Sequence, residues 1–244
     1  MKLFCLPFAG GSKYSYREYE IKAPRNLQMI CLEYPGRGGR SSEPLVADVN
    51  QLVKDLFMQL SGKLSGEPYA LYGHSMGGLI ACLLARKIVI ENERPPVHIF
   101  VTGTEGPSAP SRIEDKRHLL NKEDFLKEIK DLDGCPDELL NDVELLAHFE
   151  PILRSDFKAS ETYLYEEGEP LDIPFTVLTG TEENMELADI ELWQKETRLS
   201  VDFRRLPGRH FFIFDHAETI LKIIVEKLSN NQKFIRHESV RKIS

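Results

Sequence analysis

The 244-residue sequence has no apolar run approaching the roughly 20 residues that a membrane-spanning helix needs, so no spanning segment is expected. It has no C-x-x-C pair. Cys5, Cys31, Cys82 and Cys135 stand apart, with no histidine at ligand spacing, which excludes a metal ribbon or a disulfide framework. Three of them lie in apolar segments and read as buried, reduced thiols, in keeping with a cytoplasmic setting. Positive charge is also short. Lys and Arg number 31 against 39 Asp and Glu, for a net charge of -8 and a pI near 5.5. A general nucleic-acid footprint needs a basic face, and none is expected here. Internal repeats and low-complexity stretches are missing too. The opening "MKLFCLPFAGG" is cut by Pro7 and Gly10-Gly11 and lacks a cleavage site, so it reads as a strand rather than a signal peptide.

What is present is ordinary for a globular protein: 41% hydrophobic and 29% charged residues, enough for one core with or without a cap. Short apolar runs alternate with helical patterns. "KLFCLPF" (2–8), "LQMICLEY" (27–34), "PYALYG" (68–73), "VHIFVTG" (97–103), "PFTVLTG" (174–180) and "VDFRRL" (201–206) read as strands. Helical spacing marks 46–60, 76–91, 188–197 and 217–228. The alternation predicts an α/β fold, a mainly parallel sheet with helices on both faces. From 121 to 164 there are helical patterns without a strand: "KEDFLKEIKDL", "DELLNDVELLAHF" and "PILRSDFKASETYLY", the first two separated at Gly134-Cys135-Pro136. This segment is expected to be a helical insertion, a lid or cap, in one domain spanning 1–229. The polar residues 230–244 are expected to form a flexible tail.

One stretch carries chemistry. In "YGHSMGGLI" (72–80), Ser75 follows a strand and precedes a helix, with Gly73 and Gly77 two residues away on either side. That is the setting of a nucleophile elbow, in which a tight turn raises a serine hydroxyl clear of the sheet. It also aims the Met76 N–H, at the start of the helix, toward a developing oxyanion. A loop that merely contains Gly and Ser is the alternative. The serine needs a base, expected late and after a strand. His210, in "LPGRHFFIF", fits that place, and His216 is the second candidate. His74 is expected to pack or bond locally and to face away from the base position. The glycine-rich "LPFAGG" (6–11), after the first strand, suits a second oxyanion donor.

In their order along the chain, "LPFAGGS", "EYPGRGGR", "YGHSMGG", "ILRSDFKASETYLY", "PFTVLTG" and "LPGRHFFI" resemble the type II thioesterases. These stand-alone α/β-hydrolases accompany nonribosomal peptide and polyketide synthases. The resemblance implies Ser75 as nucleophile, His210 as base, and the Ala9 and Met76 N–H groups as oxyanion donors. It implies a lid over an acyl and pantetheine channel, a monomer, and no metal or cofactor. The phosphopantetheine arm would belong to a partner acyl or peptidyl carrier protein. The family's G-x-x-D appears here as Gly180-Thr181-Glu182-Glu183, so Glu183 falls where the acid should be. Glu182, Asp189 and Glu105 are its rivals. The implied reaction is hydrolysis of carrier-bound acyl thioesters, clearing misprimed or stalled groups. A general esterase or lipase, or a non-catalytic synthase partner with an impaired triad, are the alternatives. Arg37, Arg40 and the lid are candidates for a local basic or apolar patch facing an acidic carrier.

Overall fold

Successive strand residues point to opposite faces, so a strand buried on both sides reads as a continuous apolar run. The six runs form six strands in the computed structural model: β1 (Lys2–Leu6), β2 (Gln28–Cys31), β3 (Tyr69–His74), β4 (Ile99–Thr102), β5 (Phe175–Gly180) and β6 (Asp202–Leu206). They pair in the order β2-β1-β3-β4-β5-β6, and every pair is parallel. The residues described are 1–64, 66–114, 116–132 and 142–241, with 231–241 described by backbone alone.

The described residues also form eight α-helices, besides short 3-10 turns: α1 (Arg17–Lys22), α2 (Val49–Leu60), α3 (Met76–Ile90), α4 (Lys122–Asp131), α5 (Val143–Glu161), α6 (Leu187–Glu191), α7 (Phe212–Asp215) and α8 (Ala217–Arg241). One core joins Phe4, Leu6 and Leu71 to Leu52, Leu56, Leu79 and Ile80, and so covers one sheet face with α2 and α3. The other joins Leu3, Cys5, Ala70 and Tyr72 to Tyr16, Tyr19, Ile220 and Ile224, and so covers the opposite face with α1 and α8. No described helix is long and apolar enough to cross a membrane.

Several elements differ from expectation. The described residues on either side of Pro151 form one helix, α5, from Val143 to Glu161. A proline inside a helix removes one backbone bond. Buried Leu146, Ile152, Leu153, Asp156 and Ala159 nonetheless hold one continuous inner face. The last helix continues to Arg241, past the Leu228 end that periodicity predicts. Helices α1 and α7 are too short to show a period. The Gly134-Cys135-Pro136 punctuation lies outside the described residues. Between β4 and β5, α4 and α5 share a small cluster of Phe125, Ile129 and Leu153, against which Leu120, Phe149 and Phe157 pack.

Two buried histidines give the fold a pH signature. His98 is 3% exposed, its Nε2 lies 2.9 Å from Thr176 Oγ1, and its ring stacks on Phe100 at 4.2 Å. Burial, helped by Lys227 and opposed by Asp202, lowers its pKa to about 3. His74 is shifted well below the usual value, first by burial and then by His210. Both stay neutral when folded, whereas the unfolded chain takes up protons below about pH 6.5. Stability is therefore present above that value and falls as the solution is acidified, over pH 6.5 to about 3 for His98. Each group steepens the fall by about 1.4 kcal/mol per pH unit. Urea unfolding of His98→Asn between pH 6 and 4 should show a slope shallower by about that amount. An unchanged slope would contradict it.

Candidate active site

In an open parallel sheet, ligands bind beyond the carboxyl ends of the strands. Every candidate side chain lies there: Ala9 beyond β1, Ser75 beyond β3, Glu105 beyond β4, Glu183 beyond β5 and His210 beyond β6. Ser75 has φ 54° and ψ -123°, a positive φ that non-glycine residues seldom adopt. The neighbouring glycines make that turn feasible. A Cβ on Gly73 would overlap the Gly77 carbonyl, and one on Gly77 would lie 2.7 Å from the Pro7 carbonyl oxygen. The turn is fixed by the Ser75 N–H donating to the Thr102 carbonyl at 2.8 Å and the Gly78 N–H donating to the Ser75 carbonyl at 2.9 Å. Met76 opens α3, and first-turn N–H groups of a helix have no partner within it.

His210 Nδ1 lies 2.7 Å from Glu183 Oε1, and the other Glu183 oxygen accepts the Gly180 N–H at 2.6 Å. The Glu183 side chain is 3% exposed, so two bonds orient a buried carboxylate toward the ring. The rivals are engaged elsewhere. Glu105 Oε1 accepts from Arg112 at 3.2 Å, and Asp189 Oδ2 accepts from the Ser111 hydroxyl at 2.5 Å. Glu182 is exposed, and its backbone N–H donates to the Gly208 carbonyl. The glutamate in place of aspartate therefore leaves the imidazole partnered. His216 Nε2 lies 2.9 Å from the Pro207 carbonyl. His74 packs as expected, with Nδ1 3.1 Å from Thr102 Oγ1, but it does not face away. Its ring centroid is 4.7 Å from that of His210, because the last residue of β3 points to the face on which the β6 loop folds back.

Two cavities meet at Ser75 and His210. The apolar one, about 90 Å³, is walled by Phe8, Ile129, Leu132, Leu153, Phe157 and Phe211, and Ala9 lines it. The polar one, about 330 Å³, runs past Met76, Thr104, Arg112, Arg117 and Arg209. Helices α4 and α5 thus contribute Ile129, Leu153 and Phe157 directly to the site. Sequence reading placed a lid there without naming these residues. Their signal was the apolar face of each helix.

Arg37 and Arg40 do not form the basic patch expected of them. Arg37 is 3% exposed and makes two bonds to Asp156, Nη1 to Oδ2 at 2.5 Å and Nη2 to Oδ1 at 2.7 Å. Arg40 is held by Asp55 and Glu43. A guanidinium beside a carboxylate is electrically satisfied and has little field left for a partner. Asp156 is fully buried, and sequence reading did not single it out, although it and Glu161 are acids on the buried face of α5. Burial pushes its carboxyl up, while Arg37 and the Gly10 N–H pull it back. Burial likewise opposes charge on Arg37, and the carboxylate outweighs it. Two short parallel bonds mark an ion pair.

A parallel sheet carrying a strained serine at the carboxyl end of an inner strand, with a histidine–carboxylate pair over the same cavity, defines a hydrolase of the α/β-hydrolase fold. The chain belongs to the thioesterase domain family, whose model matches residues 1–228, and it is a hydrolase acting on thioesters. It is 32% identical over 229 residues to the gramicidin S biosynthesis protein GrsT of Aneurinibacillus migulanus, covering 93% of this chain and 89% of that one. The structure resembles the type II thioesterase BorB from the borrelidin biosynthetic cluster, with a TM-score of 0.84 and 34% identity over 93% and 92% of the two chains. It also resembles ClbQ from the colibactin NRPS/PKS pathway, with a TM-score of 0.89 and 28% identity over 96% and 98%.

The positive φ at Ser75 has a measurable consequence. A residue held there costs on the order of 1–3 kcal/mol, which glycine largely avoids. Ser75→Gly should be more stable than Ser75→Ala by about 1 kcal/mol in denaturant unfolding. Equal stabilities would mean that the elbow stores no strain.

Proposed function

We propose that this chain hydrolyses acyl thioesters carried on the phosphopantetheine arm of carrier proteins, clearing misprimed or stalled acyl groups from a nonribosomal peptide or polyketide synthase. The observation that carries the reading is the meeting of Ser75, His210 and Glu183 at one polar cavity, which joins an apolar one at Ser75 and His210. The names of GrsT, BorB and ClbQ support the pathway. In this reading Ser75 Oγ attacks the thioester carbonyl while His210 Nε2 takes its proton. Glu183 accepts the Nδ1–H, fixes the tautomer and stabilises the imidazolium. The Ala9 and Met76 N–H groups hold the oxyanion, each worth roughly 3 kcal/mol in comparable sites. The carbon–sulfur bond breaks, and the thiolate leaves with the proton from His210. Water, deprotonated by the same ring, then releases the acid from Ser75. The acyl chain occupies the apolar branch under the insertion, which serves as the lid. The arm approaches through the polar branch. The reaction uses these side chains and water, with the phosphopantetheine supplied by the partner.

The test is acyl release from an acetyl-loaded carrier protein, beside a simple oxygen ester. Wild type should release acetate from the carrier with little ester cleavage, and Ser75→Ala should not. Glu183→Gln should lower kcat by roughly 10³–10⁴, and Glu105→Gln by less than about threefold. Ester cleavage without carrier preference would make the chain a general esterase. Carrier binding without release would make it a synthase partner. A larger loss in the Glu105 variant than in the Glu183 variant would overturn the assignment of the acid.

A further inference from the structure

The Phe8–Gly11 segment is a tight turn. The Gly11 N–H donates to the Phe8 carbonyl at 2.8 Å, and Gly10 has φ +75°. Among the described residues, Ser75 and Asn92 are the non-glycine residues with positive φ, so Ala9 has negative φ and the turn is of type II. No peptide bond is cis, so the Phe8–Ala9 amide points its N–H opposite to its carbonyl. With that carbonyl tied into the turn, the Ala9 N–H faces outward, and Ala9 lines the cavity that holds Ser75 and His210. Two further groups of the turn are held from elsewhere. The Gly10 N–H donates to Asp156 Oδ2 at 2.8 Å, and the Gly11 carbonyl accepts from Arg37 Nη1 at 3.2 Å. Asp156 is on α5, the helix that also presses Leu153 against Gly10. Arg37 in turn lies over the Tyr34 ring at 5.2 Å, and the Tyr34 hydroxyl donates to the Pro7 carbonyl at 2.8 Å.

We propose that Asp156, backed by Arg37, is a positioning residue that holds the Phe8–Gly11 turn from the insertion helix and so sets the direction of the Ala9 N–H. The inference rests on the reading of Ala9 as an oxyanion donor. It makes the insertion more than a cover: α5 cannot shift without loosening the turn that receives the oxyanion. A residue with this role acts on the tetrahedral state more than on the bound thioester, which separates it from a purely structural ion pair.

The experiment uses the full chain with a short acyl-pantetheine thioester and a trifluoromethyl ketone analogue of it, which adds Ser75 Oγ to form a tetrahedral oxyanion. Asp156→Asn keeps the shape and removes the charge. It should lower kcat ten- to a hundredfold with KM changed less than threefold, and should weaken the ketone by the same factor as kcat/KM. A lone buried Arg37 charge can unfold this variant, so the double variant Arg37→Gln/Asp156→Asn, which buries no net charge, is measured beside it. Melting curves confirm which variants are folded, and the folded ones should show the same split. A folded double variant with wild-type kcat overturns the proposal. So does one in which KM alone rises, or in which substrate and ketone weaken equally. Wild type and Ser75→Ala binding the ketone equally would sink the reading of the site itself, a failure seen before any Asp156 variant is measured.

Discussion

Three backbone segments meet where no side chain fits. Gly73, next to last in β3, lies against the Gly77 carbonyl, and Gly77, in the first turn of α3, lies against the carbonyls of Leu6 and Pro7. This contact fixes the positive φ of Ser75 and sets the helix start beside the loop that follows β1. From it follow the exposure of one hydroxyl, the aim of the Met76 N–H and the closeness of the Ala9 turn. A Cβ at either glycine would push these pieces apart before any polar contact was lost. The strain at Ser75 persists because the surrounding sheet and helix over-determine it.

The second layer is electrostatic. A buried ion pair is weak evidence of stability, since desolvation offsets much of the attraction. The Arg37–Asp156 pair, with both side chains 4% exposed or less, therefore explains itself better by what it holds than by its energy. Its atoms also bond the Gly10 N–H and the Gly11 carbonyl, and so join the loop after β1, the Gly36–Gly38 loop and the insertion helix. The histidine side has its own bracing. Glu183 is tied to the Gly180 N–H, and Phe211 packs edge-on to His210 at 5.1 Å and to Phe8 at 5.0 Å.

Much of this was legible in the sequence because it is local. The six strands show as apolar runs bounded by turns, and the Ser75 elbow needs its glycines at fixed offsets. The place of Glu183 followed from a family pattern, and the structure sets that carboxylate against His210. What was not legible depends on distant partners. Arg37 and Arg40 looked like surface charge because Asp156 and Asp55 lie 119 and 15 residues away. The patterns on either side of Pro151 read separately because a proline's cost is local, whereas the apolar face that outweighs it extends along the whole of α5. His74 looked remote from the base because the fold-back of the β6 loop leaves no trace in spacing.

The central claim is that Ser75 receives the acyl group. The direct measurement is rapid-quench mass spectrometry of the wild-type chain mixed with acyl-loaded carrier protein, followed by peptide mapping. The account predicts a transient acyl adduct on the peptide containing Ser75 that decays as free acid appears. An adduct on another residue, such as the thiol of Cys31, or turnover with no adduct at all, would contradict it.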